Sequence, residues 1–445
     1  MTHETVRRIG RVAIGACAVL ALPALARAQA QGAPTFSKDV APIFQEKCEA
    51  CHRPDSIAPM SLVSYQETRP WARAIKARVA DHTMPPWDID RTVGIQQFKN
   101  DRSLTEREVE TIVRWVDAGA PQGDAKDMPA ARTWPEDQGW NFAPLFGQKE
   151  PDLVVTSHPF TMPAQSQDAW DKRVTPSGLT EPRWVRAIEI RPNTVKGRRI
   201  THHAIAYLEQ EEPNAAPTGG LGAFFMEWAV GKQGELMRPD TGKLLLPGSK
   251  FRWDIHYSQA GEAITSQVEM GIYFYPKGQE PKYRTTLSLV PAALGTMDIR
   301  PNAVAMHEGF TVMRENARIE SYQPHMHLRG KAMMVEAILP TGQRQVISLV
   351  SRFNFNWMTT YVYADEAAPL LPKGTILKVT SWHDNTPAKK TNPDPNQWVG
   401  WGDRTVDEMA HAWINIVYMK DEDFKAEQAR RRAGQTSSAS DRQQQ

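Results

Sequence analysis

The sequence predicts a multidomain chain, with a small all-α domain followed by two all-β antiparallel sandwich domains of jelly-roll-like build. Three observations predict it. A length of 445 residues suits two to four domains. Apolar residues between 31 and 125 recur at helical spacing around one short motif. Beyond Pro151 the chain breaks into short β-prone runs punctuated by Pro and Gly.

Residues 1–30 read as a signal peptide. Arg7, Arg8 and Arg11 precede an apolar stretch from Val12 to Leu25, and small residues follow at Ala26, Ala28 and Ala30. The chain is therefore expected to be exported, to the periplasm or beyond. Ile14-Gly15-Ala16-Cys17 resembles a lipoprotein cleavage box, but the apolar run continues past Cys17, which favours ordinary cleavage after Ala28 or Ala30. Losing the leader moves the formal charge from +2 to about −1, a balance that does not suggest a nucleic-acid or lipid-surface binder. No later apolar run is long enough for a transmembrane segment.

Residues 31–125 form the expected helical domain. Ser37 is placed to cap a helix carrying Val40, Ile43 and Phe44. Thr105 and Glu108 make a capping-box pattern, Val109, Ile112, Val113 and Val116 fall on one helical face, and Gly119 supplies the stop. Between the helices stands Cys48-Glu49-Ala50-Cys51-His52. Two thiols at this spacing can each be joined to a vinyl group of one haem, and the next side chain then points at the iron. The trailing His separates the motif from a zinc knuckle or a redox disulfide. One covalent haem c, held by Cys48 and Cys51 with His52 as proximal ligand, is the reading. The segment thus resembles a small cytochrome c. Met84, in His82-Thr83-Met84-Pro85-Pro86-Trp87, is the expected distal ligand, with His82 and Met60 as competitors.

Residues 126–150 lack periodicity and read as a linker. The sandwiches are expected over 151–290 and 291–425, with strands at Leu153 to Thr156, Trp184 to Ile190, Ala204 to Leu208, Val268 to Tyr275, Ala332 to Leu339 and Ile376 to Ser381. Residues 426–445, rich in Arg, Gln and Ser, read as a disordered tail.

Histidines cluster in the β-rich part, as His202-His203, His256-Tyr257 and His325-Met326-His327. Residues two apart on a strand share a face, so His325 and His327 can grip one metal. Adjacent residues face opposite ways, and His202 and His203 would need a bulge or a strand end to converge. Imidazole suits copper, zinc, iron and nickel. With Cys48 and Cys51 on haem no thiolate remains, which excludes a blue-copper centre.

Taken in order with Asp407-Glu408-Met409, these motifs resemble the type II, ascorbate-dependent copper monooxygenases, the family of peptidylglycine hydroxylating monooxygenase and dopamine β-monooxygenase. The resemblance covers about 151–425. It implies an electron-transfer copper on His202, His203 and His256, and a second copper on His325, His327 and Met409 where oxygen is activated. It further implies hydroxylation of an activated C–H of a small organic substrate with O2. Electrons would come from a small reductant or a periplasmic redox protein, passed on at high effective concentration by the haem on the same chain. The pattern departs from the family in places. No disulfide is available, Gln323 stands where the peptide enzyme has an Arg, and His411 and Trp413 replace an Asn and a Tyr, so a peptidyl-glycine substrate is not expected. His383 and His411 are expected to support ligands without binding metal, and His158 and His307 to be structural. The alternative is a non-enzymatic electron-transfer or copper-binding protein. A haem peroxidase would need an open sixth iron position.

Overall fold

The computed structural model describes residues 32–443, apart from 55, 57, 134–138, 213–222 and 233. The expected leader, with Cys17, lies outside the described residues. Among the described residues, those in strands clearly outnumber those in helices. A separate all-α domain ahead of two separate antiparallel sandwiches is not what forms, and the correction has two parts.

The first concerns the N-terminal segment. Its helices are short: Ala41–Lys47, Tyr65–Thr68, Ala72–Ala80 and Glu106–Asp117. Prolines at 42, 54, 59, 70, 85 and 86 interrupt any longer run. Glu106–Asp117 does carry the Thr105/Glu108 capping box, and it buries Ile112 and Trp115 against Phe36 and Phe44. Ser37 is not a cap. It lies inside the turn Phe36–Val40, and its hydroxyl donates to Gln122 O at 3.0 Å. The segment also leaves its own core. Strand Ile89–Gly94 pairs antiparallel with Arg344–Val350, and Trp87 packs edge-on against Tyr361, with ring centroids 4.8 Å apart. Gly94 permits the approach, since its φ is +75° and a Cβ there would meet Ile347 O at 2.5 Å. Helical periodicity could not reveal this strand, because its partner lies some 250 residues away in the sequence.

The second part concerns the β-rich body. All six strand runs read from the sequence correspond to strands: four fall within Leu153–Thr156, Arg183–Pro192, Thr201–Glu209 and Ile376–Asp384, and two overshoot Val268–Phe274 and Gly330–Ile338 by one residue each. One sheet, however, runs through both halves. Its order is Tyr361–Val362, Asn316–Met326, Ala410–Met419, Tyr283–Ala293, Thr241–Leu245, Arg183–Pro192, Val268–Phe274, Leu153–Thr156. The seam is the parallel pair of Thr241–Leu245 with Tyr283–Ala293. Gly242 sits at that seam, where a Cβ would meet Pro281 at 2.8 Å and Val185 O at 2.9 Å.

A further sheet faces each half. Beside the first stands the group Ala169–Asp171, Lys250–Tyr257, Thr201–Glu209, Ala223–Ala229. The other half has Ile89–Gly94, Arg344–Val350, Gly330–Ile338, Ile376–Asp384 and Val304–Val312. Each half encloses its own apolar core. The final helix, Asp421–Gln443, is tied back by Arg431, which donates to Ala368 O at 2.6 Å and Asp365 O at 3.0 Å.

Candidate metal centre

The first histidine set is produced by a bulge. Along the pairing of Lys250–Tyr257 with Thr201–Glu209, His256 opposes His203, but Tyr257 opposes Thr201, so His202 is the extra residue. A bulge cancels the alternation that would send neighbours to opposite faces. His202 and His203 therefore converge, with Nδ1 atoms 3.3 Å apart. Ring centroids lie 5.6 Å apart for His202–His203, 5.2 Å for His202–His256 and 5.0 Å for His203–His256. Among the described residues this is the group of three potential ligands whose donor atoms all lie within 4.8 Å of one another.

Outer residues hold the third imidazole. Trp170, opposite His256 in the sheet, stacks on it at 4.7 Å with nearly parallel planes. His256 Nε2 lies 3.2 Å from Asp168 Oδ2, though not aligned as a hydrogen bond. Asp168 is held down to about 2 by His256 first and Thr405 next. Thr405, from the other half of the chain, donates to Asp168 Oδ2 at 2.8 Å. No sequence signal marked Asp168, Trp170 or Thr405, because each acts through a partner distant in the chain.

The second set is produced by register. Gln323 opposes Trp413, His325 opposes His411, and Met326 opposes Ala410. Alternation then puts Gln323, His325, His411 and Trp413 on one face. That face looks toward the first half. His203 and His325 rings stand 6.1 Å apart, and Trp413 packs on Phe224 at 4.8 Å. The two sets therefore meet in one cleft. Phe355 is also there, stacked on His202 at 4.7 Å and edge-on to His327 at 6.0 Å.

His325 lies 5.5 Å from His327 and 4.5 Å from His411, centroid to centroid. His327 Nδ1 is 3.1 Å from Asp407 O, which leaves Nε2 for another partner. Its backbone N–H donates to Glu408 Oε2 at 2.9 Å, and that of Arg329 to Glu408 Oε1 at 2.6 Å. Burial pushes the Glu408 carboxyl up to about 7. Met409 is half-buried and follows Glu408 directly. Its carbonyl faces His383 Nε2 at 3.2 Å, so His383 acts on the Met409 backbone. His307 packs beside His383 at 5.6 Å.

Several nitrogens here have no partner. His325 Nδ1, both ring nitrogens of His411, and Trp413 Nε1 are buried without a hydrogen bond. Each such group costs about 1–3 kcal/mol. The donor atoms of His202, His203 and His256 converge closely enough to hold one ion, so that set fits one of the coppers implied by the resemblance, whereas His325, His327 and His411 do not form such a group among the described residues. Their protonation state fits too. Burial above all lowers His202 and His327 to about 4 and His411 to about 3, and holds His203 and His325 well below the ordinary value. Neutral imidazole is the ligating form.

At the N-terminal motif, burial raises Cys48 to about 12. His52 Nδ1 lies 3.2 Å from Met60 O. A carbonyl at Nδ1 fixes the tautomer and frees Nε2, which fits a proximal haem ligand. The side chain of Met60 packs into the surrounding core. Met84 lines a cavity of about 240 Å³ with His82, Trp87, Asp88, Ser351 and Arg352, and Cys48, Cys51 and His52 are not among its lining residues.

No protein-family description matches the chain, and no curated protein matches it. Among solved structures, the major capsid protein P2 of bacteriophage PM2 is 10% identical over 59% of this chain and 98% of its own, with a TM-score of 0.26. The Gx strain of infectious bursal disease virus gives 9% identity over 60% and 72%, with a TM-score of 0.17. A Paenibacillus xanthan lyase gives 9% over 68% and 28%, with a TM-score of 0.15. Scores this low carry no argument about fold or chemistry.

Proposed function

We propose that this chain is an exported, haem- and copper-dependent monooxygenase that hydroxylates an activated C–H of a small organic substrate with O2. The observation that supports the reading is the convergence of His202, His203 and His256, with the His325 ring 6.1 Å from that of His203 and the motifs in the order of the family pattern. Copper on these residues would supply one-electron redox chemistry and dioxygen reduction coupled to C–H hydroxylation. His202, His203 and His256 would hold one ion. His325, His327 and Met409 would hold the other.

The chain's own residues do the positioning. The bulge at His202 aims two adjacent imidazoles at one point. Trp170 and Asp168 fix the plane and direction of His256. Asp407 O orients His327, and Glu408 pins the backbone on either side of Leu328. Burial favours the neutral form of His202, His203, His325, His327 and His411.

Haem on Cys48, Cys51 and His52 is the proposed electron inlet, and one segment supports that role. Arg352 donates to Asp81 O at 3.0 Å and His82 O at 3.3 Å, beside Met84. Phe355, three residues further on, stacks on His202. The segment 351–360 thus spans from the Met84 loop to the first histidine set. Among the described residues no helix is long and apolar enough to cross a membrane.

The test is metal analysis and turnover of haem-loaded protein. Two coppers and one haem per chain, with oxygen uptake matched by hydroxylated product across a panel of small substrates, are expected. Zinc in place of copper, or no metal beyond haem iron, defeats the reading. Copper without oxygen uptake leaves an electron-transfer protein.

A further inference from the structure

We infer that this chain pairs with a second copy of itself through the outer face of the sheet that holds Val304–Val312, Ile376–Asp384, Gly330–Ile338 and Arg344–Val350. The inference is independent of the metal reading and rests on how that sheet is built.

An antiparallel sheet with one buried face ordinarily alternates apolar-in with polar-out. Here both faces are apolar. Leu377, Val379, Met333, Val335 and Ala337 close the core on the inner side. On the outer side of the edge strand stand Val304, Met306, Phe310 and Val312, exposed by 50%, 57%, 59% and 54%. Cross-strand register carries the same face across Trp382 and Ile376 to Met334 and Ile338. Single exposed apolar residues need no explanation, but a contiguous face of them marks an interaction surface. A charged row crosses it, with Lys378 Nζ 2.6 Å from Glu308 Oε1 and 3.6 Å from Glu336 Oε2.

Two arguments select a second copy as the occupant. The first is charge. Lys378 and Glu336 stand directly opposite each other in the sheet. A two-fold axis in the interface, parallel to the strands and midway between these residues, lays each lysine over the other copy's glutamate. The same axis lays Ile376 over the other copy's Ile338, and Phe310 over its Val346. The face is thus complementary to itself. The second argument is area. The four strands have nine, nine, nine and seven residues. At about 3.4 Å per residue and about 4.8 Å between strands they present about 550 Å² per copy. A pair then covers about 1,100 Å², which clears the roughly 1,000 Å² that a specific interface needs.

Sedimentation velocity tests this on the full haem-loaded chain at micromolar concentration, where twice the mass of one chain is expected. Phe310→Lys, at an exposed position that leaves the core alone, should weaken association by about 30-fold or more. Lys378→Glu and Glu336→Lys should each sediment as monomers, because like charges then meet across the axis. An equimolar mixture of these two variants should dimerise, since each restores the pairs the other lacks. The mixture also separates loss of the interface from loss of folding, as a misfolded variant is not rescued by its counterpart. A monomeric wild type, a dimer indifferent to Phe310→Lys, or a mixture that stays monomeric would overturn the inference. A monomer that binds lipid vesicles, and stops doing so as Phe310→Lys, would overturn it in favour of a membrane surface.

Discussion

The two histidine sets share a cleft but are built by different means. His202, His203 and His256 converge through a local irregularity, one extra residue in one strand pair. Their surroundings are finished by Trp170 and Asp168. His325 and His411 are brought abreast by regular cross-strand register, and their leftover nitrogens have no partner. A bulge commits its residues to one geometry whether or not a ligand is present. Register only brings side chains abreast, and the site then depends on whatever lies beneath and across from it. The first set should therefore tolerate loss of a neighbour better than the second.

The largest test of that difference lies under the second set. Gln323, on the same face as His325, donates to Glu227 Oε2 at 2.9 Å. Glu227 belongs to a buried network with Lys232, Glu235 and Lys243. Lys232→Met would leave Glu227 and Glu235 underpaired, and denaturant unfolding should show a loss of about 3–5 kcal/mol. Copper at the second set should weaken with it. An unshifted midpoint would mean that the register alone supports that set.

Next comes the outer partner of the first set. Asp168→Asn should lower copper affinity at His202, His203 and His256 by about 10–100-fold, roughly 1.4–2.8 kcal/mol, and leave the second set unaltered. Equal loss at both sets would contradict their separate construction.

Asp88 provides a comparison outside both sets. Burial raises its carboxyl to about 6, with Arg352 opposing. A carboxyl whose folded pKa is raised binds its proton more tightly in the native state, so the wild type loses stability as pH rises from about 4 to 6. Asp88→Asn should stabilise the chain at pH 7 by roughly 1–2 kcal/mol and make no difference at pH 4. Melting curves at the two pH values check this, and copper loading should not move. A gain of equal size at pH 4 would place the effect elsewhere than in ionisation.

The smallest effect is expected at Thr405→Val, which removes the hydroxyl bonded to Asp168 across the halves. About 0.5–1.5 kcal/mol of stability should go, with a slight loosening of His256 seen in the copper spectrum. A spectrum identical to wild type would show that Asp168 is placed by its own strand.

Much of the β-rich part was legible because strands announce themselves locally. Runs such as Leu153–Thr156 and Ile376–Asp384 have β-prone residues bounded by turn formers. The Thr105/Glu108 capping box was legible for the same reason, since it is a contact between residues three apart. The all-α domain was misjudged because strand Ile89–Gly94 owes its existence to a distant partner rather than to its own pattern. The separate sandwiches were misjudged for the same reason, as nothing local in Thr241–Leu245 foretells a parallel seam with Tyr283–Ala293.

The candidate site divides along the same line. Residue order and type alone brought out His202, His203, His256, His325 and His327, together with the need for a bulge at the doublet. Whether His411 stands opposite His325, and whether Asp168 and Phe355 reach the imidazoles from separate parts of the chain, only the tertiary structure decided. The physical reason is range. Alternation, caps and turns act over a few residues and are written in the local sequence. Cross-strand register and contact between sheets arise from packing summed over the whole fold.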